Sequence, residues 1–195
     1  MAKKNQLTTS DYLSQQEFIR LLDCLRNDRE YLWELYARLS FYTACRASDV
    51  LNLKWSTVLD KDQAVIVEKK TRKPRKIKFT ETMKEKVSEL YELLGRPVKG
   101  SMIFLNDHTD KHITIQCVNQ KLKTFKSKYD IQITNFSTHT FRKTFGRYVY
   151  ESYNRSAESL ILLNKILNHT SIQITKTYIG ITQDEINGIY DNIDF

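Results

Sequence analysis

The chain has few of the residues that interrupt regular structure: its 195 residues include 5 glycines and 2 prolines. So few turn-forming residues leave little room for long linkers or for an architecture of many short strands. No run of about 18 apolar residues occurs, which argues against a membrane-spanning helix. The first residues are polar and lack the apolar segment of a secretory signal peptide. We therefore expect a cytoplasmic protein with one compact domain.

Metal and cofactor signatures are also scarce. The three cysteines, Cys24, Cys45 and Cys117, are scattered without the spacing of a zinc site or a disulfide framework, so they are expected to be reduced thiols. His108 and His112 have the i, i+4 spacing of a metal pair, but they lie in a polar loop segment without helical periodicity. No glycine-rich phosphate loop, GxSxG or HExxH motif is present. We expect neither a metal nor a cofactor.

Positive charge is in excess, with 31 Lys and Arg against 23 Asp and Glu and a net charge of +8. This balance favours a polyanionic partner, either nucleic acid or an acidic membrane surface. The charge is concentrated, because seven of the ten residues 69–78 are basic. A purely solvated segment of this kind would repel itself, so contact with a phosphate backbone is the better explanation. Lys69, Arg72 and Lys73 are the candidate phosphate contacts in this turn.

Apolar spacing predicts an α+β fold that is mainly helical. Ser14 and Glu17 form a capping box that begins the first helix, and Gly95 is a suitable residue to follow the end of another. Two β-like segments flank the basic turn and predict a hairpin, with a further short strand near Val58, so the antiparallel sheet would have about three strands. Residues 1–13 are expected to be flexible and residues 14–195 to form the domain. Helices are predicted at residues 31–42, 47–53, 81–94, 114–128, 138–150, 156–167, 172–179 and 184–190.

His139 and Arg142 are the most informative pair in the sequence. Their i, i+3 spacing places them on one face of a predicted helix, in its first turn. Backbone N–H groups and the helix dipole favour an anion there, and an arginine fork donates two hydrogen bonds to phosphate oxygens. A surface histidine and arginine without a role is the alternative, since the pattern is weak by itself.

Arg46, His169 and Tyr178 extend this set. Arg46 adjoins an apolar stretch, so its charge needs a partner, and Asp49 three residues later could hold the guanidinium on one helical face. His169 stands between two predicted helices, where it could bind the same anion or simply pack. A tyrosine with a pKa of about 10 becomes a useful nucleophile only if cations stabilise the phenolate. Tyr178 follows His169 by nine positions, although any one of eleven tyrosines could be a packing residue.

Four segments, taken in order, resemble the catalytic domain of the tyrosine recombinases, the phage integrase family. Residues 43–53 resemble the first box, with an arginine and an acid three residues later. The basic hairpin resembles the turn with the catalytic lysine, and Lys70 fits best because relatives read Lys-Thr there. Residues 139–144 resemble the second box, and residues 167–178 resemble the last box, in which Asn168 replaces the usual glycine.

The resemblance implies cleavage of double-stranded DNA through a 3′-phosphotyrosyl intermediate. Arg46, Lys70, His139, Arg142, His169 and Tyr178 would be catalytic, with Asp49 supporting them and Lys143 as a further DNA contact. It also implies a monomer in free solution that assembles on DNA, as a tetramer in the synapse. The tail after residue 180 would dock either on its own chain or on a neighbour.

Two other functions fit the same residues. A type IB topoisomerase uses this chemistry on one duplex, although such enzymes are normally larger. A DNA-binding regulator derived from a recombinase would bind without cutting, but all six catalytic positions carry suitable residues. Most relatives have a separate DNA-clamping domain before the catalytic one. The sequence therefore resembles the short recombinases without that domain, or an isolated catalytic fragment.

Overall fold

The computed structural model describes residues 10–106 and 111–181, which form a mainly helical unit with a small antiparallel sheet. The fold class predicted from the sequence is thus confirmed. Within these ranges, no helix is long and apolar enough to cross a membrane. In chain order the elements are α1 (Gln15–Asn27), α2 (Tyr31–Thr43), α3 (Ala47–Val50), α4 (Trp55–Val58), β1 (Gln63–Val67), β2 (Pro74–Lys78), α5 (Glu81–Leu93), α6 (Ile115–Lys128), α7 (Thr140–Ser152), α8 (Ala157–Leu167) and α9 (Ile172–Ile179).

The sheet has two strands in the described residues, so the predicted third strand near Val58 is wrong. The segment around Val58 is the short helix α4, because Trp55 and Val58 are spaced one helical turn apart and both face the core. Strand β1 pairs with β2 in antiparallel register, with Gln63 opposite Lys78. It shows the period of two expected of a half-buried strand, with exposed residues alternating with buried ones.

Side-chain caps mark the starts of five of the nine helices in the described residues. Ser14 and Glu17 form the predicted capping box of α1, and Ser171 caps α9 by accepting a hydrogen bond from Ile174 N. Asn168 ends α8 in the left-handed conformation, with φ of 53°, as expected of the residue that replaces glycine there. Helix α7 begins at Thr140, two residues later than predicted. The helix predicted at residues 184–190 lies outside the described residues.

The start of the described chain is packed, although residues 1–13 were predicted to be flexible. Ser10 is buried, and its carbonyl accepts a hydrogen bond of 2.6 Å from Lys143 Nζ. Leu13 is also buried, and its backbone N–H donates to Thr144 Oγ1 at 3.0 Å. Residues 10–13 therefore belong to the folded unit, because they cover the first turns of α7.

Two apolar cores hold the helices in place. The larger core lies among α1, α2, α5, α6 and the sheet, and the smaller one joins α7, α8 and α9 and includes Tyr178. Gly146 permits the close approach of α9 to α7, since a Cβ atom at this position would lie 2.7 Å from Ile179 Cγ2. The helix that carries Tyr178 is thereby packed directly on the helix that carries Arg142.

Candidate active site

The buried guanidinium of Arg142 joins three segments of the chain. Its Nη1 donates to Ala44 O at 2.8 Å, and its Nη2 donates to Leu167 O at 2.7 Å. Ala44 is the left-handed cap that ends α2, and Leu167 is the last residue of α8. These two carbonyls stand two residues before Arg46 and two residues before His169. Arg142 therefore fixes the position of both of these candidate residues relative to α7.

Tyr178 lies beside this guanidinium. The Arg142 Cζ atom is 6.0 Å from the centre of the Tyr178 ring, and the His169 ring packs edge-on against it at 5.1 Å. The Tyr178 hydroxyl is buried and makes no hydrogen bond within the described part of the chain. Burial raises the pKa of Tyr178, and the charges of Arg142 and Arg46 oppose this effect without reversing it. The phenol is therefore neutral and would need a base in order to act as a nucleophile.

His169 is placed between the cap of α8 and the start of α9. Its Nδ1 lies 3.0 Å from Thr175 Oγ1. Burial and the charges of Arg142 and Arg46 lower the pKa of His169 to about 4. At neutral pH the imidazole therefore carries one N–H, which can donate a single hydrogen bond.

His139 occupies the N-cap of α7 and not its first turn. Burial lowers the pKa of His139, and the positive charges of Arg142, Lys143, Arg46 and Lys70 lower it further. A neutral imidazole that is surrounded by cations can accept a proton, provided that an anion enters the site and offsets the positive charge.

Arg46 pairs with Glu68, and the predicted pairing of Arg46 with Asp49 is wrong. The Arg46 Nη1 donates to Glu68 Oε2 at 2.7 Å. Asp49 instead accepts from the backbone N–H of Lys69 at 2.9 Å. Arg46 is the N-cap of α3 with extended backbone, so it does not share a helical face with Asp49. Asp49 consequently supports the hairpin that carries Lys70.

Glu68 was not recognised from the sequence, yet it ties the site together. Its side chain is fully buried, and Oε2 also accepts from Thr71 Oγ1 at 2.8 Å and from Asn168 Nδ2 at 3.3 Å. We refer to Glu68, Arg46, Thr71 and Asn168 as the Glu68 cluster. Burial opposes ionisation of Glu68, but the hydrogen bonds from Thr71 and Arg46 outweigh it and lower the pKa. The cluster links the first box, the hairpin and the last box through one carboxylate.

The alternation of strand β1 could have identified Glu68. Ala64 and Ile66 face the core, so the next residue on this face is Glu68. It is the one acid among the basic residues of the turn. A carboxylate that points inward requires cationic partners, which here are Arg46 and, at 3.8 Å, Arg75.

The candidate DNA contacts separate into two groups. Lys69, Lys70, Arg72 and Lys73 are exposed at the hairpin turn, where a phosphate backbone could reach them. Lys143 is buried, and its ammonium group donates to Ser10 O. The prediction that Lys143 contacts DNA is therefore wrong. Lys143 is an interior residue, because its position on α7 directs it toward the N-terminal segment and the Tyr178 ring. Arg75 also points inward, where it donates to the carbonyls of Thr43 and Ala44.

Five of the six residues predicted to be catalytic thus converge, and Lys70 lies on the turn next to them. In the described ranges, no group of three or more His, Cys, Asp or Glu is arranged to hold a metal ion. His108 lies outside these ranges. The positive groups that face Tyr178 are instead the side chains of Arg142, Arg46 and Lys143. Two guanidinium groups beside a tyrosine and two neutral histidines are suited to binding a phosphate diester.

Comparisons with known proteins identify the family of the chain. The profile of the phage integrase family matches residues 11–185. The chain is 33% identical over 178 residues to the probable integrase/recombinase YoeC of Bacillus subtilis (strain 168), covering 88% of this chain and 93% of that protein.

Solved structures share the fold at lower identity. The XerA recombinase superimposes with a TM-score of 0.71 at 21% identity, over 98% of this chain and 68% of that one. The XerH site-specific recombinase in a post-cleavage complex with its difH substrate gives 0.70 at 16% identity, over 95% of this chain and 54% of that one. From the family match and the relationship to YoeC, we conclude that the chain belongs to the phage integrase family, the tyrosine recombinases.

Proposed function

We propose that the protein is a site-specific recombinase that cleaves and rejoins double-stranded DNA in the integration, excision or inversion of mobile DNA. The observation that carries the proposal is the Arg142 guanidinium, which holds the segments of Arg46 and His169 around Tyr178. The net charge of +8 and the exposed basic turn support a DNA partner. XerH, a site-specific recombinase that shares the fold, is described bound to a palindromic difH substrate. Residues 14–195 would be the catalytic domain, acting in the cytoplasm of a bacterial cell.

In the first step, Tyr178 Oη attacks phosphorus and the P–O5′ bond breaks. The DNA is left joined to the enzyme through a 3′-phosphotyrosine, with a free 5′-hydroxyl. His139 takes the phenolic proton, and Lys70 gives a proton to the departing O5′. Arg46, Arg142 and His169 donate to the non-bridging oxygens, where negative charge grows in the transition state. A 5′-hydroxyl from a partner duplex then reverses the step and exchanges the strands.

The geometry sets two conditions for this reaction. Arg46 is held by Glu68, so its free donors must receive the phosphate while this ion pair persists. The Tyr178 hydroxyl is inaccessible to solvent, so α9 must move slightly to bring the oxygen to phosphorus. The small core around α9 allows such a movement more readily than the main core does, because it buries fewer residues.

A covalent trap tests the proposal. A nicked duplex that loses the short fragment carrying the 5′-hydroxyl cannot religate, so the wild type should accumulate an SDS-resistant adduct. The Tyr178→Phe variant should bind the same DNA without forming the adduct. The matched control is Tyr150→Phe, since Tyr150 is equally buried in the same small core and should still react. An adduct formed by Tyr178→Phe would show that the nucleophile is another residue.

The same assay separates the rival functions. A regulator derived from a recombinase would bind DNA, but neither the wild type nor any variant would form an adduct. A topoisomerase would form the adduct and relax supercoiled plasmid, but it would give no recombinants between two target sites. We expect Arg46→Ala to lower the rate of cleavage about a hundredfold, the usual effect of removing one transition-state donor.

Independence from metal ions is part of the proposal, because cationic side chains supply the charge that a metal would provide. Adduct formation should be unchanged after dialysis against excess EDTA. A loss of activity that magnesium restores would contradict this.

The leaving-group role can be assigned among three neighbouring lysines. We propose Lys70, whose positive charge contributes to the lowered pKa of His139, over Lys69 and Lys73. A substrate with a 5′-thiol leaving group needs no proton, so it should restore cleavage by Lys70→Ala to near the wild-type rate. If the thiol substrate instead rescues only Lys69→Ala or Lys73→Ala, the assignment moves to that lysine.

The self-association of the protein is also proposed. We infer that the free protein is a monomer that forms a homo-oligomer, a tetramer in the synapse, on DNA. A groove of about 1340 Å³ lies between α1, α2, β2, α7 and α8. It combines apolar residues such as Phe18, Phe41 and Tyr148 with the basic residues Arg75 and Lys165. The last 14 residues, 182–195, carry acidic and apolar side chains and no basic one, so they complement this groove.

In the monomer we propose that the tail of the same chain covers the groove. Its starting point supports this, because a Cβ atom at Gly180 would lie 3.7 Å from the ring of Tyr12, which lines the groove. A labelled peptide of residues 182–195 should bind a chain that ends at residue 181, but should bind the full chain at least tenfold more weakly. Equal binding to both chains would argue against docking on the same chain. Concentration-dependent dimerisation of the full chain without DNA would favour docking on a neighbour.

A further inference from the structure

Thr175 lies between two polar side chains in the interior of the site. It lies three residues before Tyr178 on α9, and its side chain is fully buried. Asn164 Nδ2 on α8 donates to Thr175 Oγ1 at 3.2 Å, and His169 Nδ1 lies 3.0 Å from the same oxygen. Thr175, which the mechanism does not use, thus contacts the Nδ1 atom of His169, and Asn164 contacts Thr175 in turn.

The number of available protons determines which group donates in each of these hydrogen bonds. A threonine hydroxyl has one proton to donate and two lone pairs to accept. Asn164 uses one lone pair, and among the described residues His169 Nδ1 is the only acceptor in contact with the hydroxyl proton. The proton therefore points at Nδ1, which must be unprotonated in the neutral ring. The single proton of the imidazole is then on Nε2.

We propose that Asn164 and Thr175 form a hydrogen-bond relay that fixes His169 as the Nε2–H tautomer and thereby makes it a phosphate donor. The role of that donor depends on the proposed function, whereas the tautomer does not. Asn164 and Thr175 are positioning residues, because they act on the phosphate only through His169.

The surroundings of His169 favour this use of a neutral ring. The charged groups that face it are Arg142 on α7, Arg46 before α3 and Glu68 after β1. Burial and the two arginines keep the pKa of His169 at about 4, so the ring carries one proton rather than two at the pH of the reaction. A neutral imidazole without the relay could place that proton on either nitrogen. The relay removes the choice, so that no rearrangement is needed when the phosphate binds.

The tautomer can be measured directly in the full-length protein at pH 8. The chain has four histidines, so ¹⁵N-histidine labelling gives a spectrum in which a His169→Gln variant identifies the signals of His169. We expect the wild type to carry the proton on Nε2. In Asn164→Asp the carboxylate must accept the Thr175 proton, so the hydroxyl becomes an acceptor for His169 and the proton should move to Nδ1.

A second variant separates the relay from the added charge. Asn164→Asp combined with Thr175→Val has the same carboxylate but no hydroxyl, so neither nitrogen should be selected and both tautomers should be present. Thr175→Ser keeps the hydroxyl and should match the wild type. A wild type with the proton on Nδ1 would overturn the proposal. An Asn164→Asp variant that retains the Nε2 proton would do the same, and so would a double variant with the proton wholly on Nδ1, since the charge alone would then explain the switch.

Cleavage of the nicked substrate provides the functional readout. Asn164→Asp should slow adduct formation about a hundredfold, because it withdraws one transition-state donor, while DNA binding stays within about twofold. Thr177→Val is the matched control, since Thr177 is exposed on the same helix and its hydroxyl donates to Gln173 O. Unchanged cleavage in an Asn164→Asp variant with a switched tautomer would refute the catalytic part. A wild type that forms no adduct would refute the proposed function and leave the tautomer result standing.

Discussion

The substitution Glu68→Gln tests whether one buried carboxylate holds the active site together. The replacement has nearly the same size, but it removes the negative charge to which Arg46 donates at 2.7 Å. The amide oxygen can still accept from Thr71 and Asn168 at the position of Oε2. The amide nitrogen then takes the position of Oε1, which faces Arg75 at 3.8 Å, and two donors oppose each other. The variant therefore leaves Arg46 and Arg75 without an anion.

The expected loss of stability follows from the burial of the pair. Removing one partner of a buried ion pair costs about 3–5 kcal/mol, since the remaining charge is left unpaired. The Glu68 side chain is fully buried, whereas Arg46 keeps 20% of its side chain exposed and can be partly hydrated. We therefore expect the lower end, a fall in the free energy of unfolding of about 3 kcal/mol. For a chain of this size the melting temperature would fall by about 6–12 °C.

Urea denaturation at pH 7.5 measures this change, and the chain offers a matched control. Glu89 also binds two cations, Arg26 and Lys86, but 44% of its side chain is exposed. Glu89→Gln should cost less than about 1 kcal/mol, because exposed ion pairs contribute little. If Glu68→Gln is as stable as Glu89→Gln, the Glu68 cluster does not hold the three segments together. Cleavage measured at a temperature where the variant is fully folded should still fall at least about tenfold, since Arg46 loses its fixed position.

Three further predictions concern the same region. Gly146→Ala should lower the free energy of unfolding by about 1–2 kcal/mol in urea denaturation, because the clash with Ile179 outweighs the gain in helix propensity. In an Ile179→Ala background this loss of stability should vanish, and a loss that persists would exclude the clash as its cause. His169 has a pKa of about 4 in the folded protein and about 6.5 when unfolded, so the unfolded state binds more protons between these values, and stability should fall as the pH drops from 6.5 to 4. Compared with His169→Gln, the wild type should lose about 1–2 kcal/mol more over this range, after allowing for the partial exposure of the ring, and parallel pH profiles would contradict this. Ala44 has a φ of 46°, a left-handed conformation that glycine adopts more easily than alanine. Ala44→Gly should therefore raise the free energy of unfolding slightly, by less than about 1 kcal/mol in the same assay. A clear fall in the free energy of unfolding would mean that the left-handed cap is not strained.

Most of the fold could be predicted because its signals are local. The period of the apolar residues and the capping side chains of Ser14, Thr114, Ser156 and Ser171 mark the helices in the sequence itself. The family prediction is confirmed for the same reason, since its motifs are short segments in a fixed order. The third strand was predicted wrongly because a four-residue apolar segment fits a strand and a helical turn equally well. The burial of both Trp55 and Val58 decides in favour of the turn.

The partners within the site could not be predicted from local spacing. Arg46 and Asp49 are three residues apart, which suggests a pair, but the structure connects each of them to the hairpin about twenty residues away. Such contacts depend on how the hairpin packs against α3, and the residues between them carry no local pattern that predicts this packing. Lys143 was misplaced for a related reason. A lysine next to a catalytic arginine suggests a DNA contact, whereas the helical rotation turns it inward to the carbonyl of Ser10.

The candidate residues are located at helix ends more often than on helix faces, and this location has a physical cause. The last carbonyls of a helix have no partner within it and carry partial negative charge, so they attract a cation. Arg142 satisfies one such carbonyl at the end of α2 and another at the end of α8, and these bonds offset the cost of burying its charge. Arg46 and His169 each lie two residues after one of these carbonyls. A guanidinium that closes two helix ends therefore brings a second arginine and a histidine to the same place. A lysine could not do so, because its single ammonium group lacks the planar fork that spans both carbonyls.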